Sequence, residues 1–278
     1  MSTQAERTRI LSKGITMRTF LGCCGSLVAL MVATPALADD TASPPAITIN
    51  GTATVVSDYR FRGISQTDKN FAVQGSLTIS HQSGFYATVW GSSVDDYVTA
   101  SLQSNQEIDL IVGFRKTFGA TTVDVGALYY VYPKSRLAGD NSSSDFIEPY
   151  LAVSQTFGPL TAKATVAYAP KQKALSLDQG ASGLLVKEDN VYLAGDFSAA
   201  IPGTPIGLTA HIGHTWGPSW LVPVPKTEYT DWALGATVTY KALTLGLQYV
   251  DTDASPFITA SGKDVSKSGV VATLGVSF

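Results

Sequence analysis

From Ile47 onward the sequence alternates between two kinds of position. Ile47, Ile49, Gly51, Ala53, Val55, Ser57, Tyr59 and Phe61 are apolar or small, while Thr48, Asn50, Thr52, Thr54, Val56, Asp58, Arg60 and Arg62 between them are mostly polar. Period two is the signature of a strand whose faces meet different surroundings. The pattern returns in Ile108, Leu110, Val112 and Phe114 against Glu107, Asp109, Gly113 and Arg115, and in Trp232, Leu234, Ala236, Val238 and Tyr240 against Asp231, Gly235, Thr237 and Thr239. Twelve such segments are predicted, over 47–62, 72–81, 85–93, 105–117, 121–132, 145–155, 160–168, 188–199, 206–216, 228–240, 243–251 and 269–278. Short turns such as Gln82-Ser83-Gly84, Phe118-Gly119-Ala120 and Lys241-Ala242 alternate with long polar connections. An even number of strands with short turns at one end and long loops at the other is the pattern of an outer-membrane barrel. The expected fold is therefore all-β, a transmembrane antiparallel β-barrel of about twelve strands, with short periplasmic turns and long extracellular loops.

Two arguments place the apolar face outward. Eight strands already suffice to fill an interior with side chains, so an apolar lumen in a wider barrel would be a void. Assigning alternate strand directions also sorts the apolar-face aromatics into two groups. Tyr59, Phe61, Tyr129, Tyr168, Trp216, Trp232 and Tyr249 gather at the loop end, and Phe85, Phe114, Tyr240 and Phe278 at the turn end. Two girdles are what a bilayer with two interfaces selects. Against this order stand Pro149, which predicts a bulge, and Val56, Ile111, Leu128 and Val250, which fall on the polar face.

Composition agrees. Charged residues are 15% of the chain against the ~25% usual in soluble domains, and mean hydropathy is +0.14. Yet no run after Val32 is long enough for a membrane helix. Before it, Arg7, Arg9, Lys13 and Arg18 precede an apolar stretch Phe20 to Val32 and the small-residue site Pro35-Ala36-Leu37-Ala38. This order predicts a cleaved signal peptide over 1–38, a short periplasmic leader over 39–46 and a barrel over 47–278. Cleavage removes both cysteines, Cys23 and Cys24, and moves the formal charge from −3 to −6. An acidic chain without a basic block predicts no nucleic-acid partner.

The polar face collects Asp58, Arg60, Arg62, Glu107, Asp109, Arg115, Asp124, Glu148, Lys163, Asp196 and Asp231. In an open lumen these would form charged rings that set ion preference, with Arg60 and Arg62 facing Glu107, Asp109 and Glu148 as the constriction, and the excess of acids favouring cations. Alternatively the same charges pair into a network that holds the barrel shut. The long segment Ala169 to Lys187 is a second candidate for an inward fold. His81-Gln82-Ser83 places an imidazole near a hydroxyl, but at a turn and without a third partner, so a polar turn end is the simpler reading. His211 is expected in the lumen and His214 on the outer face. Three scattered histidines give no metal-ligand spacing, and no cofactor is expected.

Ser57-Asp58-Tyr59-Arg60-Phe61-Arg62-Gly63-Ile64-Ser65-Gln66-Thr67 resembles the opening signature of the TorF family of outer-membrane porins. Gly84-Phe85-Tyr86-Ala87 with Trp90-Gly91-Ser92, and Glu107-Ile108-Asp109 ahead of Gly113-Phe114, are similar to its next blocks. The resemblance implies a channel in the outer membrane of a Gram-negative bacterium and names no solute. The reading is a passive diffusion channel for small hydrophilic solutes or ions, with outer-membrane lipids around it and Phe278 as the signal for the assembly machinery. The alternatives are a barrel enzyme of lipid-hydrolase type and a closed structural or adhesion barrel.

Overall fold

The computed structural model describes residues 45–99, 102–137, 142–177 and 186–278. The expected leader over 1–38 lies outside these, apart from a two-residue antiparallel pairing of Phe20–Leu21 with Leu30–Met31. Twelve strands close into one antiparallel barrel. They are β1 (Ile47–Val56), β2 (Ala72–His81), β3 (Phe85–Ser93), β4 (Gln106–Phe118), β5 (Thr121–Val131) and β6 (Phe146–Phe157), then β7 (Leu160–Gln172), β8 (Glu188–Ala200), β9 (Ile206–Trp216), β10 (Glu228–Tyr240), β11 (Leu243–Thr252) and β12 (Gly269–Ser277). Each strand pairs with its neighbour in the chain, and β12 closes onto β1 through Thr273–Ser277 against Thr52–Val56. Beyond this short ladder, Gly51 and Phe278 exchange backbone hydrogen bonds of 2.8 and 3.0 Å. The Phe278 ring lies over Gly51, where a Cβ would come within 2.5 Å of Phe278 Cε2.

The apolar positions face out. Val73 is 66% exposed and Val270 67%, with Ile49, Leu110, Leu234 and Leu247 similarly open. Tyr129, Tyr168, Trp216 and Tyr249 remain outside near the loop end, and Phe85, Tyr240 and Phe278 near the turn end. Inward positions differ with depth. Toward the turns they are hydroxyl pairs across the ladders: Thr78 with Thr88 at 2.8 Å, Thr117 with Thr122 at 2.9 Å and Thr239 with Thr244 at 3.1 Å. Toward the loops the inward side chains are buried: Val56, Glu107, Asp109, Ile111, Leu128, Glu148, Asp231 and Val250.

Two strand expectations need correction. The first strand ends at Val56, not at residue 62, because the chain leaves the wall there and folds into the barrel. No bulge occurs at Pro149. It stands in register with Ala127 of β5, and the ladder to β7 begins only at Tyr150, so no partner on that side misses its N–H. The Gln172 side chain brackets Ile147 there instead, bonding its N–H and carbonyl at 2.9 and 2.8 Å. The irregularity in this part of the sheet lies between Ala169 and Gln172.

Candidate functional site

The segment over 57–71 turns inward as a small hairpin, Arg60–Phe61 paired with Ile64–Ser65. Its two-residue turn is Arg62-Gly63, with φ of +47° and +81°. Positive φ at both central positions is the turn whose twist matches antiparallel strands. Gly63 meets it without strain, while Arg62 needs support from its surroundings. The base of the hairpin is bound to itself. Asp58 accepts from Arg60 Nε at 2.6 Å and from Ser65 Oγ at 2.5 Å, and the Gln66 N–H donates to the Tyr59 carbonyl at 2.7 Å.

Every arm of this hairpin reaches a different part of the barrel. Arg60, 1% exposed, donates through Nη1 to the carbonyls of Gly63, Val265 and Lys267, which ties it to the loop before β12. Tyr59 donates its hydroxyl to Glu107 of β4 at 3.0 Å, and Tyr132 donates to the other oxygen of the same carboxylate at 3.2 Å. Arg62 crosses to the opposite wall. It binds Glu148 of β6 at 2.5 Å and Asn190 of β8 at 2.8 Å, with its guanidinium 4.1 Å from the Tyr192 ring centre. Burial works against the Arg62 charge, but the adjoining Glu148 carboxylate outweighs it and shifts the guanidinium pKa upward. Tyr229 of β10 donates to the Arg62 carbonyl at 3.0 Å. Asp68, past the hairpin, takes hydrogen bonds from Thr259 and Ser261 at 2.7 and 3.0 Å and an ion pair with Lys263 at 3.2 Å. Its burial would raise its pKa, but these donors overcome that and lower it.

Two further polar clusters sit on the inner wall. Arg115 and Asp124 pair at 2.6 Å, and Tyr86 donates to Asp124 at 2.8 Å with the Tyr150 hydroxyl alongside. Lys163 pairs with Asp196 at 2.9 Å, and His211 bridges Asp196 at 2.7 Å and Asp231 at 3.0 Å, with the Tyr192 hydroxyl 3.1 Å from Asp231. Each nitrogen of this imidazole faces a carboxylate, so neither is presented to a substrate. His81 Nδ1 and Ser83 Oγ are 2.7 Å apart on an exposed turn, and no carboxylate joins them among the described residues. No group of metal-ligating side chains occurs among the described residues.

All of Asp58, Arg60, Arg62, Glu107, Asp109, Arg115, Glu148, Lys163, Asp196 and Asp231 therefore lie inside the barrel, in arrangements that differ in part from the expected rings. Arg62 does face Glu148. Arg60 does not face the acids of the far wall; it folds back onto Asp58 and three carbonyls. Each of the four cations Arg60, Arg62, Arg115 and Lys163 has its own carboxylate. Asp109 is 2% exposed, in register with Tyr130. Tyr59 and Phe61 do not belong to the lipid girdle. Tyr59 is 3% exposed against Trp90, and the Phe61 ring meets Tyr130 edge-on. The inward fold falls mainly on 57–71 and not on Ala169 to Lys187, although Ala174 and Leu175 of that loop are also buried. Residues 178–185 of it lie outside the described residues.

Val56, Ile111, Leu128 and Val250, out of place on a polar face, pack in two inward clusters beneath the loops. The clusters also hold tyrosines that sequence reasoning did not single out, Tyr130, Tyr132, Tyr150 and Tyr192. Their signal was a tyrosine on the polar phase of a strand. Tyr86 and Tyr150 stand opposite Gly113 and Gly126 across the ladders, and a Cβ on either glycine would collide with the facing tyrosine.

A model of a bacterial protein family of unknown function, Gcw_chp, matches residues 38–278. No curated protein matches. Among solved structures, the NanC porin is 15% identical, with 83% of this chain and 99% of that chain covered and a TM-score of 0.53. An outer membrane channel from Pseudomonas putida F1 is 13% identical over 87% of this chain and 99% of its own, at a TM-score of 0.45. The likeness to NanC is one of barrel fold.

Proposed function

Because the chain belongs to the Gcw_chp family and folds as a closed twelve-strand barrel, we propose that it is an outer-membrane channel for passive diffusion of small hydrophilic solutes or ions. The observation that carries this reading is the reversal of the usual dressing of a fold. Large apolar side chains cover the outside, while hydroxyls and charges line the inside, joined under the loops by two apolar clusters. A wall of that kind is stable with hydrocarbon around it and water within it. The apolar band would face lipid, the long loops the exterior and the short turns the periplasm. Export would use the cleaved leader over 1–38, and the assembly machinery would read Phe278. The TorF resemblance fits this reading, since its first motif, Ser57 to Thr67, forms the inward hairpin. Asp58, Arg60, Arg62, Glu107, Asp109 and Glu148 would shape the narrow section, and Arg115, Lys163, Asp196 and Asp231 the wall below it. Catalysis is not part of the proposal, because the lumen imidazole of His211 is held between two carboxylates.

Planar-bilayer recording of the purified protein tests it. Stepwise conductance is expected, rising when Arg62→Ala loosens the hairpin. Salt-gradient reversal potentials should show a weak cation preference, since the acids outnumber the bases on the inner face. The four matched ion pairs favour a second reading, a closed barrel with no conductance. Silence of both the wild type and the Arg62→Ala protein would establish that reading and remove the first.

A further inference from the structure

The lumen cations Arg115 and Lys163 each stand opposite a carboxylate on the next strand, Asp124 and Asp196. Lys116 does not. It follows Arg115 in β4, so it falls on the outer face with Phe114 and Phe118, where it is exposed. Among the described residues it has no ion pair and no hydrogen bond. Its neighbours fix its depth. Phe118 and Phe157, 62% and 59% exposed, lie nearer the turns, and Phe114, edge-on to Phe85 at 5.0 Å, lies nearer the middle of the wall. Lys116 therefore sits at the level of the turn-end aromatic girdle, where hydrocarbon gives way to headgroups. A lysine on the lipid face is tolerated there if its head reaches water or an anion.

A second polar group shares this outward patch. Thr121 stands opposite both Phe118 and Gln155, and its hydroxyl donates to the Gln155 side-chain carbonyl. That bond leaves the Gln155 amide N–H groups without an acceptor among the described residues. Lys116 pairs with Val123 across the ladder, which makes Thr121 its diagonal neighbour, about 7–8 Å away and within reach of a long side chain. The outward positions of β4, β5 and β6 carry no acid. An ammonium and an amide donor thus face the same anion-free surface, with apolar side chains around them.

We propose that Lys116 and Gln155 bind the phosphate of a periplasmic-leaflet phospholipid, whose acyl chains lie along Val123, Val125 and Val153 towards the middle of the wall. The inference rests on the outer-membrane reading above. A phospholipid supplies both things the patch lacks, an anion at girdle depth and hydrocarbon against the outward valines. A free phosphate ion would supply only the first, and would have to leave water to do so.

The test is native mass spectrometry of the purified full-length protein in neutral detergent, titrated with dimyristoyl phosphatidylglycerol. Dimyristoylglycerol is the phosphate-free counterpart and inorganic phosphate the chain-free one. One tightly held phosphatidylglycerol is expected, with neither counterpart retained nor able to displace it at equal concentration. Lys116→Gln should weaken this first binding about fivefold, and Gln155→Leu about three- to tenfold. Lys241→Asn removes the lysine that lies over the Tyr240 ring at another short turn and should leave it unchanged. Strand content by circular dichroism should be the same in all three variants. No retained lipid, equal retention of dimyristoylglycerol, displacement by phosphate, or equal weakening by Lys116→Gln and Lys241→Asn would overturn the proposal. Conductance plays no part in these measurements. A conducting barrel that retains no lipid would remove the site and leave the channel, and a silent barrel that retains it would do the reverse.

Discussion

The two ends of the barrel share one wall and one alternation, yet their interiors are built differently. Toward the turns, inward threonines such as Thr78, Thr88, Thr239 and Thr244 pair across the ladders and remain half-exposed. Toward the loops, the same face carries Glu107, Asp109, Glu148 and Asp231, each nearly inaccessible beneath the 57–71 hairpin. Period two decides only that a residue points inward. Whether it then meets water or protein is decided by a connection elsewhere in the sequence. The energetic consequences diverge accordingly, since a buried ion pair must be satisfied by its partner while an open hydroxyl can turn to water.

Substitutions at the two ends should therefore differ widely in cost. The largest effect is expected for Arg62→Ala, which leaves the Glu148 carboxylate buried without its cation and should destabilise the fold by about 3–5 kcal/mol. Reversible unfolding in detergent measures this, and adding Glu148→Ala should recover part of the loss. A cost below that of a surface substitution would mean that the hairpin is not fixed by this pair. Gly63→Ala should cost about 1–3 kcal/mol by placing a Cβ on a positive-φ turn, where it would approach Asp231 Cβ at 3.0 Å. Tyr59→Phe removes one of two donors to buried Glu107 and should cost about 1–3 kcal/mol in the same assay.

Acid sharpens the contrast differently. The Asp68 carboxyl has a lowered pKa in the folded chain, so the stability it contributes is complete above its ordinary range and is lost as pH falls through the lowered value. Amide exchange around Thr259 to Lys263 should speed up over that interval in the wild type, and Asp68→Asn should show no such interval. At the other end, Thr78→Val should change stability by no more than about 0.5 kcal/mol, because its hydroxyl is open to water. A large loss there would show that the turn-end lumen is packed as tightly as the loop end.

The wall was legible in the sequence because alternation is a local property. The bounds of β2, β3, β9 and β10 match the expected segments residue for residue. The hairpin was not, and the reason lies in Ser57 to Arg62. A hairpin arm alternates with the same period as a wall strand, so the pattern runs on past Val56 while the chain changes direction. Tyr59 and Phe61 then pass for girdle residues although they point into the lumen. The lumen charges were identified by type and depth, but their partners depend on which segment folds inward. Arg62-Gly63 was the local clue to a turn, and Val56, Ile111, Leu128 and Val250 were the distant one. Apolar residues on a water-lined face are costly unless something covers them.

The closing ladder between β12 and β1 has a meaning for how the barrel is made. Eleven of the twelve strand junctions join neighbours in the chain and can zip one after another from local hairpins. The twelfth joins Thr52–Val56 to Thr273–Ser277, across nearly the whole barrel sequence. Contacts of such high order form late, because the entropy of closing the intervening loop must be met before any bond rewards it. A chain with the other eleven junctions formed and this one open would be a curled sheet with two unpaired edges, the form most prone to pair with another chain. Phe278 resting on Gly51 is the catch that ends this exposed state.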